Sequence, residues 1–210
     1  LKPYYQHGKI TIYNCDCFEI LSEFRGMVML TDPPYGIGLH YGQFVDSQAN
    51  VQRIAQRLGR HIRDQKRAAI TPGVNNLFNY PAPDWCLAWC YSNGSWPCPW
   101  GFSTWQPILV YGSDPYLENS KGGRADSLHG TVSAEKNGHP CPKPLQIWKR
   151  ILERISITES ETILDPFNGS GTTLVAAKNT GHAAIGIELD ERYCEIAANR
   201  LRQDVLEFST

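Results

Sequence analysis

The chain has 210 residues, 41% of them hydrophobic and 20% charged, which suits one domain with a real core and excludes a disordered or fibrous chain. No apolar run approaches the ~18 residues that span a membrane, and Leu1-Lys2-Pro3-Tyr4-Tyr5 lacks the apolar stretch of a secretory signal, so a cytoplasmic protein is expected. The net charge of −1 gives no global argument for nucleic acid, and seven cysteines without a C-x-x-C pair point to reduced, mostly buried thiols and no metal.

In chain order, residues 9–13 alternate and are β-rich, which predicts a strand ending at Asn14-Cys15-Asp16-Cys17. Phe18, Leu21 and Phe24 predict one short helix. The apolar run 27–31 reads as a buried strand, cut off by Asp32-Pro33-Pro34-Tyr35, where Pro33 removes a backbone donor. Asp32 would then sit at the carboxyl end of a strand, where open α/β sheets place ligand chemistry. A plain strand-to-loop corner stands equally beside that reading. Residues 36–50 show no period and read as a mobile loop.

Val51, Ile54, Ala55, Leu58 and Ile62 form the apolar stripe of an amphipathic helix. From Arg53 to Arg67 there are six Lys or Arg against one acid, Asp64, a pattern more often solvated than a phosphate track. Residues 67–71 predict the next buried strand, and 86–91 with 108–111 two more, paired as a long antiparallel hairpin. The connecting loop carries Trp96, Trp100 and Trp105, for which filling a core corner is the expected use and a partner surface the lesser alternative. Residues 112–138 are polar, Gly-rich and irregular, and a loop this long is functional or disordered. Pro144 suits a first helical position, followed by the apolar face Leu145, Trp148, Ile151, Leu152 and Ile155. A strand at 162–165, a helix at 172–179 closed by Gly181, a strand at 183–188 and a helix capped by Asp190 complete the chain. Strands alternating with helices predict a doubly wound α/β sheet of about seven strands.

Asp165-Pro166-Phe167-Asn168-Gly169-Ser170-Gly171-Thr172-Thr173 lies between a predicted strand and helix. Its glycines allow a tight turn and close approach to a ligand. Glu188 ends the next strand, 17 residues past Gly171, where a carboxylate can accept both hydroxyls of a ribose. This is not the G-x-G-x-x-G dinucleotide pattern, and a single short Gly-rich turn fits an adenosine carboxylate ligand better.

Asp-Pro-Pro-Tyr together with Asp-Pro-Phe-x-Gly-Ser-Gly-Thr-Thr resembles the amino-methylating DNA methyltransferases that use S-adenosylmethionine. The target-base motif precedes the cofactor motif, as in the permuted β class, and His139-Pro140-Cys141-Pro142-Lys143-Pro144 is similar to that group's His-Pro-x-x-Lys-Pro segment. Cys15 stands where the family often has Gly, before an Asp that contacts adenine, here Asp16. The resemblance implies a Rossmann-like class I methyltransferase fold: a seven-stranded mixed sheet with a C-terminal antiparallel hairpin strand, in a three-layer sandwich. It implies one domain over residues 1–210, with 112–138 as a short target-recognition insertion.

By the same resemblance Asp32, Pro33, Pro34 and Tyr35 are catalytic. Asp16, Thr31, Asp32, Lys143, Asp165, Phe167, Asn168, Gly169, Ser170, Gly171, Thr172, Glu188 and Leu189 bind the cofactor, with Lys143 on its carboxylate and Glu188 on its ribose. Asp32 and the Pro33 carbonyl would each accept one N–H of an exocyclic amino group, drawing that nitrogen towards tetrahedral geometry, while Tyr35 stacks on the base. The substrate would be DNA with a flipped base, adenine N6 ahead of cytosine N4, with an inactive binding remnant as a further alternative. Segment 36–50 would close over that base, and helix 53–67 with 112–138 would hold phosphates. The resemblance also implies a restriction–modification setting in a bacterial or phage-infected cell, and it leaves a homodimer open.

Overall fold

The structure, a computed structural model, describes residues 2–41, 44–132 and 143–203. The order of elements is β1 (Tyr5–His7), β2 (Ile10–Asn14), α1 (Cys17–Ile20), β3 (Val28–Thr31), β4 (His40–Tyr41), β5 (Phe44–Val45), α2 (Gln48–Ile62) and β6 (Arg67–Ile70). There follow β7 (Trp85–Tyr91), β8 (Trp96–Cys98), β9 (Gly101–Ser103), β10 (Trp105–Tyr111), α3 (Pro115–Glu118), β11 (Ser127–Gly130), α4 (Leu145–Ile155), β12 (Thr162–Asp165), α5 (Thr172–Asn179), β13 (Ala183–Glu188) and α6 (Glu191–Arg202).

The main sheet runs β1-β2-β13-β12-β3-β6-β10-β7-β11. Its seven inner strands are the seven expected from the sequence, and two short edge strands, β1 and β11, are added outside them. β2, β13, β12, β3 and β6 are parallel, so they all end on one edge. β10 is antiparallel to both β6 and β7. β3 is buried on both faces: Val28 and Leu30 pack with α4, α5 and α6, and Met29 packs with α1 and α2. The result is three layers. From β12 the chain leaves through α5 to one side of the sheet, and from β3 it leaves through α2 to the other. A crevice opens at such a switch point, beyond the strand ends.

Several expectations change. Helix α2 buries its stripe as expected, but it starts at Gln48, because the Ser47 side chain caps the Asn50 amide. Segment 36–50 is built rather than irregular: the buried Asp46 carboxylate accepts the amides of Gly36, Ile37 and Leu39. Gly42 and Gln43 lie outside the described residues. Phe18, Leu21 and Phe24 fall on a four-residue α-helix, the 3-10 turn Leu21–Glu23 and its cap, not on one helix. Pro144 is the cap of α4 rather than its first residue. The stretch 112–138 carries α3 and β11, with 133–138 outside the described residues.

The tryptophans do not fill a core corner: Trp96, Trp100 and Trp105 are exposed. Of the six described cysteines, all free, only Cys17 and Cys194 are buried, which corrects the expectation of mostly buried thiols. A phosphate track to residue 67 is also corrected, because the helix ends at Ile62 and Arg67 turns inwards on β6. Arg67 pairs with Glu161 and Glu118 and donates to the Ile155 carbonyl, and Lys66 pairs with Glu161 at 2.6 Å. Burial alone would raise the Glu161 carboxyl, but hydrogen bonds from Lys66 and Ser156 and the charge of Arg67 hold it below its ordinary value.

Removing one partner of a buried pair strands the other charge. Arg67→Ala should therefore cost about 3–5 kcal/mol in urea unfolding. The pair's contribution should be present above about pH 4.5 and lost as pH falls, because the folded carboxyl titrates below its ordinary value.

Candidate active site

The parallel strand ends bring both sequence motifs to one edge. Asp165 ends β12 and is buried; its Oδ1 accepts from Thr31 Oγ1 at 2.6 Å and from the Phe167 amide at 3.1 Å. Burial pushes its carboxyl up to about 6, against the hydrogen bonds from Thr173, Thr31 and the Phe167 amide. The turn then reaches Gly171, whose φ of 81° is left-handed and where a Cβ would lie 2.8 Å from the Ala197 Cβ. Arg200 of α6 ties down the same turn, donating to the Ser170 carbonyl at 2.6 Å and the Thr172 hydroxyl at 3.1 Å.

Glu188 ends β13 and faces that turn. Its two oxygens accept the amides of Gly169 and Asp190, each at 2.8 Å. Burial pushes this carboxyl up to about 7, opposed by those two amides and reinforced by Asp165 and Asp190. Gly186 is needed for close approach, since a Cβ there would sit 2.7 Å from Asn168 Oδ1. Asn168 is buried, and that oxygen has no hydrogen-bond partner among the described residues. Asp16 caps α1 through the Phe18 amide at 3.0 Å and lies 3.8 Å from Arg57. The Arg57 guanidinium covers the Phe18 ring at 3.9 Å, and that ring meets Phe167 edge-on at 6.1 Å.

Asp32, one residue beyond β3, is the centre of a second network. Tyr35 donates its hydroxyl to Asp32 Oδ1 at 2.5 Å, Thr71 donates to the same oxygen, and Lys143 Nζ pairs with Oδ2. Gln106 of β10 donates to the Tyr35 hydroxyl at 2.6 Å, and Asn76 donates to the Tyr35 carbonyl at 2.9 Å. Lys143 Nζ also lies 4.9 Å from the centre of the Tyr35 ring.

A cavity of about 590 Å³ joins the two networks. Asp16, Asp32, Pro34, Lys143, Asp165, Phe167, Asn168, Gly169, Ser170, Thr172, Glu188 and Leu189 line it. Thr31, Pro33, Tyr35 and Gly171 stand behind that lining: Thr31 braces Asp165, Tyr35 braces Asp32, and Gly171 shapes the turn. Within the His-Pro-x-x-Lys-Pro segment, residues 139–142 lie outside the described residues, whereas Lys143 points into the cavity. Six acids line the cavity (Asp16, Asp32, Asp165, Glu188, Asp190, Glu191) against three cations (Arg57, Lys143, Arg192), a field that favours a cationic ligand.

Thr71, Asn76, Gln106 and Arg200 were not anticipated. Thr71 had a signal, since it follows β6 by one residue as Asp32 follows β3, with Thr31 and Ile70 in register. The others depend on side chains meeting across long separations, for which a single sequence carries no pattern.

A family model described as DNA methylase matches residues 94–199, half of the chain. The Type II methyltransferase M.ScaI of Streptomyces caespitosus is 39% identical over 97% of this chain and 84% of its own length. The chain belongs to the DNA methylase family. A second relative of this methylase, the Type II methyltransferase M2.DpnII of Streptococcus pneumoniae, is 26% identical over 97% of the chain and 93% of its own length. Among solved structures, the M1.HpyAVI–SAM complex matches with a TM-score of 0.68 and 22% identity, over 92% of this chain and 100% of that one. The cytosine-N4-specific PvuII DNA methyltransferase matches with a TM-score of 0.71 and 13% identity, over 98% and 91%. These two similarities establish the fold of the enzyme, a class I methyltransferase sheet.

The raised carboxyl of Glu188 has a measurable consequence. Between about pH 4.5 and about 7 the folded protein keeps a proton that the unfolded chain has lost. The ligand-free enzyme should therefore lose stability as pH rises through that window and level off above it, with Glu188→Gln flattening the slope. Urea unfolding across the window checks this, and an unchanged slope in the variant would refute the assignment.

Proposed function

We propose that this methylase transfers the methyl group of S-adenosylmethionine to the N6 amino group of adenine in DNA, as a permuted, β-class enzyme acting on a flipped base. The observation that carries this reading is the placement of Asp32 and Glu188 in one cavity, at the ends of strands separated only by β12. The residues fit the cofactor. Glu188 ends the strand beside the Gly-rich turn with its carboxylate lining the cavity, Asn168 Oδ1 is a buried acceptor without a partner among the described residues, and the lining is acidic. When bound, S-adenosylmethionine supplies the methyl group on a cationic sulfonium. Asp16, Asp165, Phe167, Asn168, Gly169, Ser170, Thr172, Glu188 and Leu189 would hold it, Thr31 and Gly171 would support that lining from behind, and Lys143 would take its carboxylate.

The remaining chemistry belongs to Asp32-Pro33-Pro34-Tyr35. An exocyclic amino group is a poor nucleophile because its lone pair is delocalised into the ring. The Asp32 carboxylate would accept one N–H and the Pro33 carbonyl the other, on a turn stiffened by two prolines, so the acceptors are aimed before the base arrives. Thr71 and Tyr35 already fix Oδ1, so the amino group would use Oδ2, the oxygen that Lys143 holds. Lys143 would leave that oxygen if it held the cofactor carboxylate instead, which would open Oδ2 to the amino group. Tyr35, held through both ends by Gln106 and Asn76, would present its ring to the base.

The target base would leave the duplex to reach Asp32. Segment 36–50, organised by Asp46, is the element proposed to close over it, and 112–138 is the proposed recognition insertion. Phosphate contacts fall to Arg53 and Arg60 of α2, which are exposed; Arg57 and Arg63 are turned to Asp16 and Asp84. Asp at the first position of the motif favours adenine. The names of the relatives support a restriction–modification setting.

Incubating unmethylated DNA with the enzyme and cofactor, then digesting to nucleosides and weighing them, should yield N6-methyl-2′-deoxyadenosine. Asp32→Ala should lower the rate by about 10²-fold or more, the scale of losing one preorganised polar contact. Equal rates would sink the role of Asp32, and methylated cytosine would move the target to N4.

A further inference from the structure

Residues 85–113 contain no Asp, Glu, Lys, Arg or His. In the middle of this charge-free stretch β8 and β9 form a small hairpin, with Trp96 opposite Ser103 and Pro97 opposite Phe102. Trp96 and Phe102 therefore point to opposite faces of the ribbon, and Pro99 and Trp100 make the turn. Trp96 is 60% exposed, Phe102 72% and Trp100 98%. A ribbon that is apolar on both faces and at its tip has no inner side, so the fold of the domain does not account for these residue types.

The hairpin also has a defined position. β10 runs antiparallel to β6, with Leu109 opposite Ile70, so Gln106 lies beyond the end of β6 on the same edge as Asp32. Gln106 touches the Tyr35 hydroxyl directly. The base of the hairpin is fixed by the Tyr91 amide on the Thr104 carbonyl, the Ser92 amide on the Gly130 carbonyl and the Val132 amide on Asn93, at 2.8, 2.8 and 3.0 Å. From there the tip can reach up to about 20 Å past the catalytic edge, six residues beyond Gln106 at the rise of a strand.

We propose that the hairpin 96–103 is an apolar wedge that stacks on bases of the DNA duplex beside the target nucleotide, with Trp100 as its leading residue. The inference rests on the reading of Asp32 and Tyr35 as the site of a flipped DNA base. The occupant is base rather than phosphate, because the hairpin has no cation to offer. It is the DNA substrate rather than another protein, because the hairpin is continuous with the acceptor site through Gln106. Aromatic rings stack on any base, and apolar side chains inserted at a base step hold open the gap that a displaced nucleotide leaves.

The test measures affinity of the full chain, with cofactor present, for a labelled duplex across a series of salt concentrations. Trp100→Ala should weaken binding about tenfold, the loss of one base–aromatic stack. The loss should be equal at every salt concentration, because no counterion release is involved, so the slope of log K against log salt stays that of the parent. Arg60→Ala should instead flatten that slope by about one. Trp100→Phe should recover most of the affinity, and cofactor affinity should be unchanged in all three, which controls for folding. Full affinity in both Trp100→Ala and the double variant Trp96→Ala/Phe102→Ala overturns the wedge. So does a slope change in Trp100→Ala, or unchanged DNA affinity with loss of self-association, which would make the hairpin a contact between copies. Binding is read separately from methyl transfer, so a parent that binds DNA without methylating it would count against the proposed function and leave the wedge to be judged by its own variants.

Discussion

One carboxylate oxygen couples the two halves of the site. Oδ1 of Asp165 accepts the Thr31 hydroxyl from β3 and the Phe167 amide from the Gly-rich turn. Thr31 immediately precedes Asp32, so the turn proposed for the cofactor and the turn proposed for the base are set against each other through a single buried acceptor. That coupling needs β12 and β3 to be neighbours and parallel, and it needs their chains to depart to opposite sides so that a crevice opens above them. The remaining strands supply support from either side, Glu188 from β13, Thr71 from beyond β6 and Gln106 from β10.

The electrostatics of the site follow from the same geometry. Several carboxylates converge at the strand ends, and burial makes them reluctant to ionise together. The protein answers with dipoles rather than with an excess of cations: hydroxyls from Thr31, Thr71 and Tyr35, and amides from Phe167, Gly169 and Asp190. Lys143 is the cation placed on Asp32. The acids lining the cavity still outnumber its cations, which favours a positively charged ligand, and the hydrogen bonds to Asp32, Asp165 and Glu188 fix those carboxyls in place.

Away from the site, the fold spends its charges differently. Arg67, which looks in the sequence like part of a basic face, is buried among Glu161, Glu118 and the end of α4, where it joins β6 to the helical layer. Trp96, Trp100 and Trp105 show the opposite inversion, being of a type that the core uses at Trp89 and Trp148 but lying exposed on or beside the hairpin of β8 and β9. Residue type sets the energetic scale of burial, but position relative to the sheet decides whether burial happens.

The division between sequence and tertiary structure is therefore physical. The seven inner strands, the longer helices α2, α4, α5 and α6, the stripe of α2 and the two motifs were legible in the sequence, because they rest on short-range periodicity and on turn chemistry that Pro and Gly dictate locally. Membership of a DNA methylase family was legible for the same reason, since both motifs are contiguous. Contacts between distant segments were decided only by the fold. Gln106 and Asn76 holding Tyr35, Arg200 pinning the Gly-rich turn and Lys143 resting on Asp32 all join residues whose partners lie elsewhere in the chain. A single hydrogen bond between distant residues leaves no periodic trace, so only the assembled sheet could reveal it.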